Sequence, residues 1–221
     1  MGKKRGFTYK DAGVDIEAAE KSIELAKSKI ESTFTPEVLS GIGGFAGVID
    51  LADILNRYQQ PVLAATTDGS GTITQIARKA REILPKAWEY VGYSLAAHCF
   101  SDLAAMGAQA KIFLNYLGSE EMNPKTNSEI LYGMSKACQE ANCVLIGGET
   151  AQMPNIFKEK ERDIVGFAIG FMNRNQAIIG HQLIKPGDSI IGINSNGIHL
   201  NGHSLVRKII FKPYWFFKEQ R

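Results

Sequence analysis

The chain has 221 residues, 44% of them hydrophobic and 22% charged, which leaves room for one large domain with a sizeable core. A formal net charge of +2 gives no footing for a nucleic-acid or anionic-membrane partner; the basic start MGKKRG lacks the apolar stretch of a secretory signal, and no apolar run reaches membrane-span length. Cys99, Cys138 and Cys143 form an odd set without CxxC spacing, which speaks against a disulfide framework or zinc site and for a reducing cytoplasm.

In chain order, Ile16, Ala19, Ile23, Ala26 and Ile30 recur at spacings of three and four, predicting a helix with Asp15 as its N-cap and Thr35 and Pro36 as its stop. The glycine-rich passage SGIGGFAGVID follows. It fits neither GxGxxG after a strand nor a loop ending in GK[ST], so it reads as a flexible loop or a lid over phosphate. A strand is expected at 61–67, a helix at 74–84 and another near 95–106 carrying Asp102. Then come a strand at 111–117, a helix at about 126–141, a strand at 143–146 that delivers Glu149, and a strand at 163–172. This mixed order predicts an α+β fold, a mixed sheet packed with helices. Past Met172 the character changes through NRNQ and a KPGD turn into a further strand, SIIGI, and the loop NSNGIHLNGHS. A boundary is placed at 173, giving units 1–172 and 173–221; the second is too short for an independent core. Tyr214, Trp215, Phe216 and Phe217 make an apolar patch that calls for cover.

Two segments, TTDGSGT (66–72) and LIGGETAQMP (145–154), break from apolar runs into glycine, a carboxylate and threonine. Each alone is ordinary turn composition. Together they suit a polyphosphate held with Mg²⁺, which takes oxygen ligands from one or two carboxylates plus phosphate while glycines let backbone N–H groups approach.

In order and spacing, YKDAGVDIEA, GGFAG, TTDGSGT, GGETAQMP, KPGD and SNGIHLNGHSLVRK resemble the phosphoribosylformylglycinamidine cyclo-ligases, or aminoimidazole ribonucleotide synthetases, of purine biosynthesis. The resemblance runs from about Tyr9 to Lys208. It implies an N-terminal ATP-binding and dimerisation domain whose strands form a barrel shared across a homodimer, followed by an α/β domain of which only the beginning is matched here. It also implies a cytoplasmic enzyme that closes the imidazole ring of a small ribonucleotide using ATP and Mg²⁺. By the same resemblance Asp68 and Asp102 are metal candidates, Asp102 with a catalytic role as well. Lys10, Gly43, Gly44, Gly69, Gly71, Thr72, Glu149 and Thr150, together with Asp68, are nucleotide-binding candidates. His199 and Asn201 are placed near the substrate, with His199 a catalytic candidate for proton transfer. His98 and His181 carry no motif and read as solvated or hydrogen-bonded.

Several positions depart from the family pattern. Ile73 replaces a lysine, while Ser94 and Asn115 each replace an acid, so each exchange removes a charge from a polyphosphate site. Ser101, Ala110, Gln152 and Leu200 are smaller departures. The rival reading is therefore a catalytically silent dimerising protein. A related ATP-using enzyme such as selenophosphate synthetase or thiamine-phosphate kinase fits the SNGIHLNGHSLVRK loop less well.

Overall fold

The computed structural model describes residues 8–218, without the side chains of His181 and of residues 211–218, so the aromatic patch at 214–217 lies outside the described side chains. Helix α1 (Ile16–Glu31) opens as expected: the Asp15 carboxylate accepts from the Ala18 N–H at 3.0 Å, satisfying one of the free donors of the first turn. Ala26 and Ile30 are buried from its inner face.

The glycine-rich passage, read above as a loop, carries a short antiparallel pair, β1 (Val38–Ser40) with β2 (Val48–Ile49), and the glycines form the turn between them. A short helix α2 (Ala52–Leu55) leads to strand β3 (Pro61–Gly69) and helix α3 (Ile73–Ala80). Helix α4 (Ala87–Ala105) begins eight residues before the sequence reading placed it. Its buried residues Trp88, Val91, Leu95, Ala96, Cys99 and Leu103 are spread around the helix, and a helix apolar on most sides blurs the periodicity that marks an amphipathic one. Strand β4 (Gln109–Ser119), helix α5 (Pro124–Glu140) and strands β5 (Val144–Gln152) and β6 (Arg162–Asn173) complete the layer. Thus 66–69 and 145–152 are not loops. They are the last residues of β3 and most of β5.

The four long strands form one mixed sheet in the order β3-β6-β4-β5, antiparallel except for the parallel β4/β5 pair. Helices α4 and α5 lie on one face, and α1 packs on α5. Close approach of α4 and α5 depends on glycine. A Cβ on Gly133 would sit 1.9 Å from the Glu89 carbonyl oxygen, and one on Gly92 would sit 2.0 Å from that of Ile130. On the other face the alternation along β3 and β6 presents Leu63, 56% exposed, and Phe167, 41% exposed.

Beyond β6 a single 3₁₀ turn (Arg174–Gln176), a short helix α6 (Gly180–Leu183) and helix α7 (His203–Lys218) are joined by irregular chain. The strand expected at SIIGI does not form. Ile190, Ile191 and Ile193 are 88–99% exposed, and a strand without a neighbour leaves its backbone groups unpaired.

Candidate active site

Two distant segments meet at the C-terminal end of β3. Alternation turns Thr66 and Asp68 toward the helices, and Asp102 lies on the part of α4 that crosses there. The Thr66 hydroxyl donates to Asp102 Oδ2 at 3.2 Å. His98, one helical turn before Asp102, places Nε2 2.7 Å from Asp68 Oδ2. One donor atom from each of Asp68, His98 and Asp102 lies within 4.8 Å of the others, close enough to share one cation. The expected pairing of Asp68 with Asp102 is therefore present, and His98, read from sequence as an ordinary histidine, belongs to it. Its i, i+4 relation to Asp102 was the available signal.

The neighbourhood is shaped by the segment that precedes α7. Leu200 is buried in the core, which anchors the segment, and Asn201 Nδ2 reaches His98 Nε2 at 3.4 Å. The Ser204 and Thr72 hydroxyls are 3.0 Å apart, so the turn after β3 and the start of α7 touch directly. Gly71 at the tip of that turn has φ +57, a conformation glycine adopts without the steric cost of a side chain. Gly69 donates its N–H to Asp68 Oδ1 at 2.7 Å, which fixes that carboxylate. His199 points elsewhere: its Nε2 is 2.9 Å from Asn196 Oδ1, and its carbonyl oxygen is 2.6 Å from the Nε2 of buried His203. Beneath the cluster, burial and then the Asp68 charge push the Cys99 thiol up to about 12, so it stays protonated at neutral pH and is no nucleophile. All three cysteines are free and buried.

Gly43 and Thr150 meet at the far edge of the sheet. A cleft of about 420 Å³ lies between α1, α5, the glycine turn and β5. Gly43, Gly147, Gly148 and Thr150 line it together with Asn115. Gly44 belongs to the same turn, its Cα facing the Ser40 hydroxyl. A Cβ on Gly148 would stand 2.4 Å from Asn115 Oδ1, so glycine is what lets β5 pass the buried Asn115. Gln152 ties this edge together: its Oε1 accepts from the Asp15 N–H at 2.8 Å, and its amide donates to the Glu120 carbonyl at 3.3 Å. Lys10 forms an exposed ion pair with Asp15 at 3.3 Å.

Glu149 joins neither group. It is exposed, sits opposite Tyr116, and faces away from the helices. The Tyr116 hydroxyl is held above its ordinary pKa by burial and by the charges of Asp163 and Glu149. Asp68 and Glu149 are on the two outermost strands, three strand spacings or about 14 Å apart, on opposite faces. Within one chain the carboxylates of the two motif segments do not converge.

Residues 44–172, more than half the chain, match the family described as AIR synthase related protein, N-terminal domain. The chain belongs to this family. It is 43% identical over 204 residues to the phosphoribosylformylglycinamidine cyclo-ligase of Geobacillus sp. (strain WCH70), covering 92% of this chain and 57% of that protein. It is also 43% identical over 209 residues to the cyclo-ligase of Geobacter sulfurreducens, covering 95% and 58%. The chain thus spans somewhat over half the length of these relatives. Among solved structures, thiamine-monophosphate kinase from Stenotrophomonas maltophilia K279a superposes with a TM-score of 0.53 at 23% identity, over 71% of this chain and 43% of that one. E. coli HypE does so with a TM-score of 0.52 at 18% identity, over 74% and 47%. At these identities the likeness establishes the fold, a mixed sheet packed with helices, as the strand order had indicated.

Proposed function

We propose that this chain acts in the ATP-dependent cyclisation of formylglycinamidine ribonucleotide to aminoimidazole ribonucleotide. The observation that carries the reading is the meeting of Asp68 and Asp102, motif residues 34 positions apart, beside the Thr72 turn. The similarity to cyclo-ligases along nearly the whole chain supports it. In this reading residues 1–172 form the ATP-binding and dimerisation domain and 173–221 the beginning of the second, and the three free cysteines suit the cytoplasm.

The reaction needs an amide oxygen turned into a leaving group. Phosphorylation of that oxygen by ATP does this, and the neighbouring amidine nitrogen then attacks the activated carbon and expels phosphate. The residues contribute positioning and charge rather than covalent chemistry. Asp68 and Asp102 would hold Mg²⁺, which when bound offsets polyphosphate charge; two carboxylates are a fitting donor set for it, while His98 adds a nitrogen that this hard cation uses little. The Gly69 and Ser70 N–H groups are taken up by Asp68 and the Ile164 carbonyl, so Gly71 and Thr72 are the residues of this turn that would meet the phosphates. Gly43, Gly44, Gly147, Gly148 and Thr150 shape the cleft at the other edge, where small residues admit a flat or sugar-like group. Asn201, in contact with His98, would orient the ribonucleotide, and His199 would serve proton transfer only if its ring leaves Asn196 and turns toward the cluster.

A homodimer fits the open sheet face. Leu63 and Phe167 leave it apolar, and covering it with the same face of a second copy would also bring Glu149 and Tyr116 into an interface.

The test is product formation by the purified chain with ATP, Mg²⁺ and formylglycinamidine ribonucleotide. ADP and aminoimidazole ribonucleotide should appear only when all three are present. Absence of both at high enzyme concentration would reject the reading and favour the silent dimerising protein.

A further inference from the structure

Toward the N-terminal ends of the strands, away from Asp68, Lys111 occupies the bulge between Ala110 and Ile112 on β4. It is only 8% exposed. Its surroundings are a cavity of about 360 Å³ between β4, the start of β5, the segment after α1 and α2, also lined by Thr35, Glu37, Arg57, Gln109 and Asn142. The one carboxylate in this set is already engaged, Glu37 pairing with Arg57 at 3.2 Å. Among the described residues the Lys111 side chain makes no hydrogen bond or ion pair.

The stem of Lys111 is buried while its ammonium opens into the cavity, where a cation is only partly solvated and a bound anion would complement it. Burial and then the Arg57 charge hold Lys111 below the ordinary lysine pKa, the direction expected when two cations share a poorly solvated space. Counting Lys111, Arg57 and Glu37, the cavity carries one uncompensated positive charge. Its volume lies at the small end of the range for small-molecule sites, about 300–1,000 Å³. Gln109 and Asn142 add carboxamides able to donate to oxygen.

We propose that this cavity is a binding site for a small oxyanion, the phosphate or carboxylate end of a metabolite, with Lys111 as its charge partner. The site is distinct from the Asp68 cluster and from the cleft at Gly43. An oxyanion seated there accepts charge-assisted hydrogen bonds from Lys111 and neutral ones from the carboxamides, and so balances the positive charge facing the cavity.

The experiment is calorimetric titration of the full chain with inorganic phosphate and, separately, with sodium acetate, repeated on Lys111→Met and Lys111→Arg. Lys111→Met removes a buried charge and should raise the melting temperature, which verifies that the variant is folded. At least one probe should bind the native chain, about ten- to a hundredfold more weakly to Lys111→Met, with Lys111→Arg retaining most of the affinity. The probe that responds names the group. Binding of neither probe, or equal binding to the native chain and Lys111→Met, would overturn the proposal.

Discussion

The two outer strands of the sheet carry different kinds of site. At the β3 edge three titratable side chains converge from two elements and the walls are polar, so whatever binds there is held by charge. At the β5 edge the cleft has glycines, an asparagine, aliphatic side chains from α1 and α5 and the single carboxylate of Glu20, so selection rests more on shape than on charge. The difference teaches that a polyphosphate and its cation suit the first edge and a less charged group the second. Glu149 lies outside both. The first edge should therefore respond to loss of charge and the second to added volume.

The largest effect is expected at the β3 edge. Asp68→Asn keeps the shape but removes one of the two carboxylates that would hold a divalent cation, and it unpairs His98. Loss of an outer-shell partner alone costs about 10–100-fold in metal affinity, so removal of a direct ligand should cost more than about 100-fold. Mn²⁺ binding followed by electron paramagnetic resonance reads this directly; affinity within threefold or so of the native chain would remove Asp68 from the cation site. Next in size is Gly148→Val at the other edge. Its Cβ collides with Asn115, and overpacking of this kind costs about 1–3 kcal/mol. Denaturant unfolding should show that loss while Mn²⁺ binding stays near native. Should both fall together, the two edges are one coupled site.

Legibility in the sequence followed how local the cause was. Helix α1 was readable because its cap and apolar face lie within sixteen residues, and β3, β4 and β6 because each is a long run of strand-forming residues. The early start of α4 was hidden by its all-round burial, and the β1/β2 pair by its two- and three-residue length. SIIGI has strand composition but no strand to pair with, a fact that no local pattern contains. Of the clustered residues, Asp68 and Asp102 were singled out through motifs, whereas His98 was not, because its place beside Asp68, thirty positions away, is set by the fold. Positions 94, 98 and 102 follow one side of α4 at i, i+4, i+8, which places His98 one turn from each.

The smallest effect concerns the wall of the β5 cleft. Helix α1 supplies Ala19, Glu20 and Ile23 to that wall, and its first turn is held by Asp15. The Ala18 N–H, and after it Lys10, hold the Asp15 carboxyl below its ordinary pKa. A folded-state value below the unfolded one means a contribution to stability fully present above the ordinary pKa of 3.8 and lost as pH falls through the lower folded value. Asp15→Ala should therefore melt at a lower temperature than the native chain at neutral pH, and the gap should close near about pH 2, where both lack the charge. The β3 edge, remote from α1, should keep its Mn²⁺ affinity in this variant. A gap of equal size at both pH values would mean that the carboxylate charge is not what holds the cleft wall.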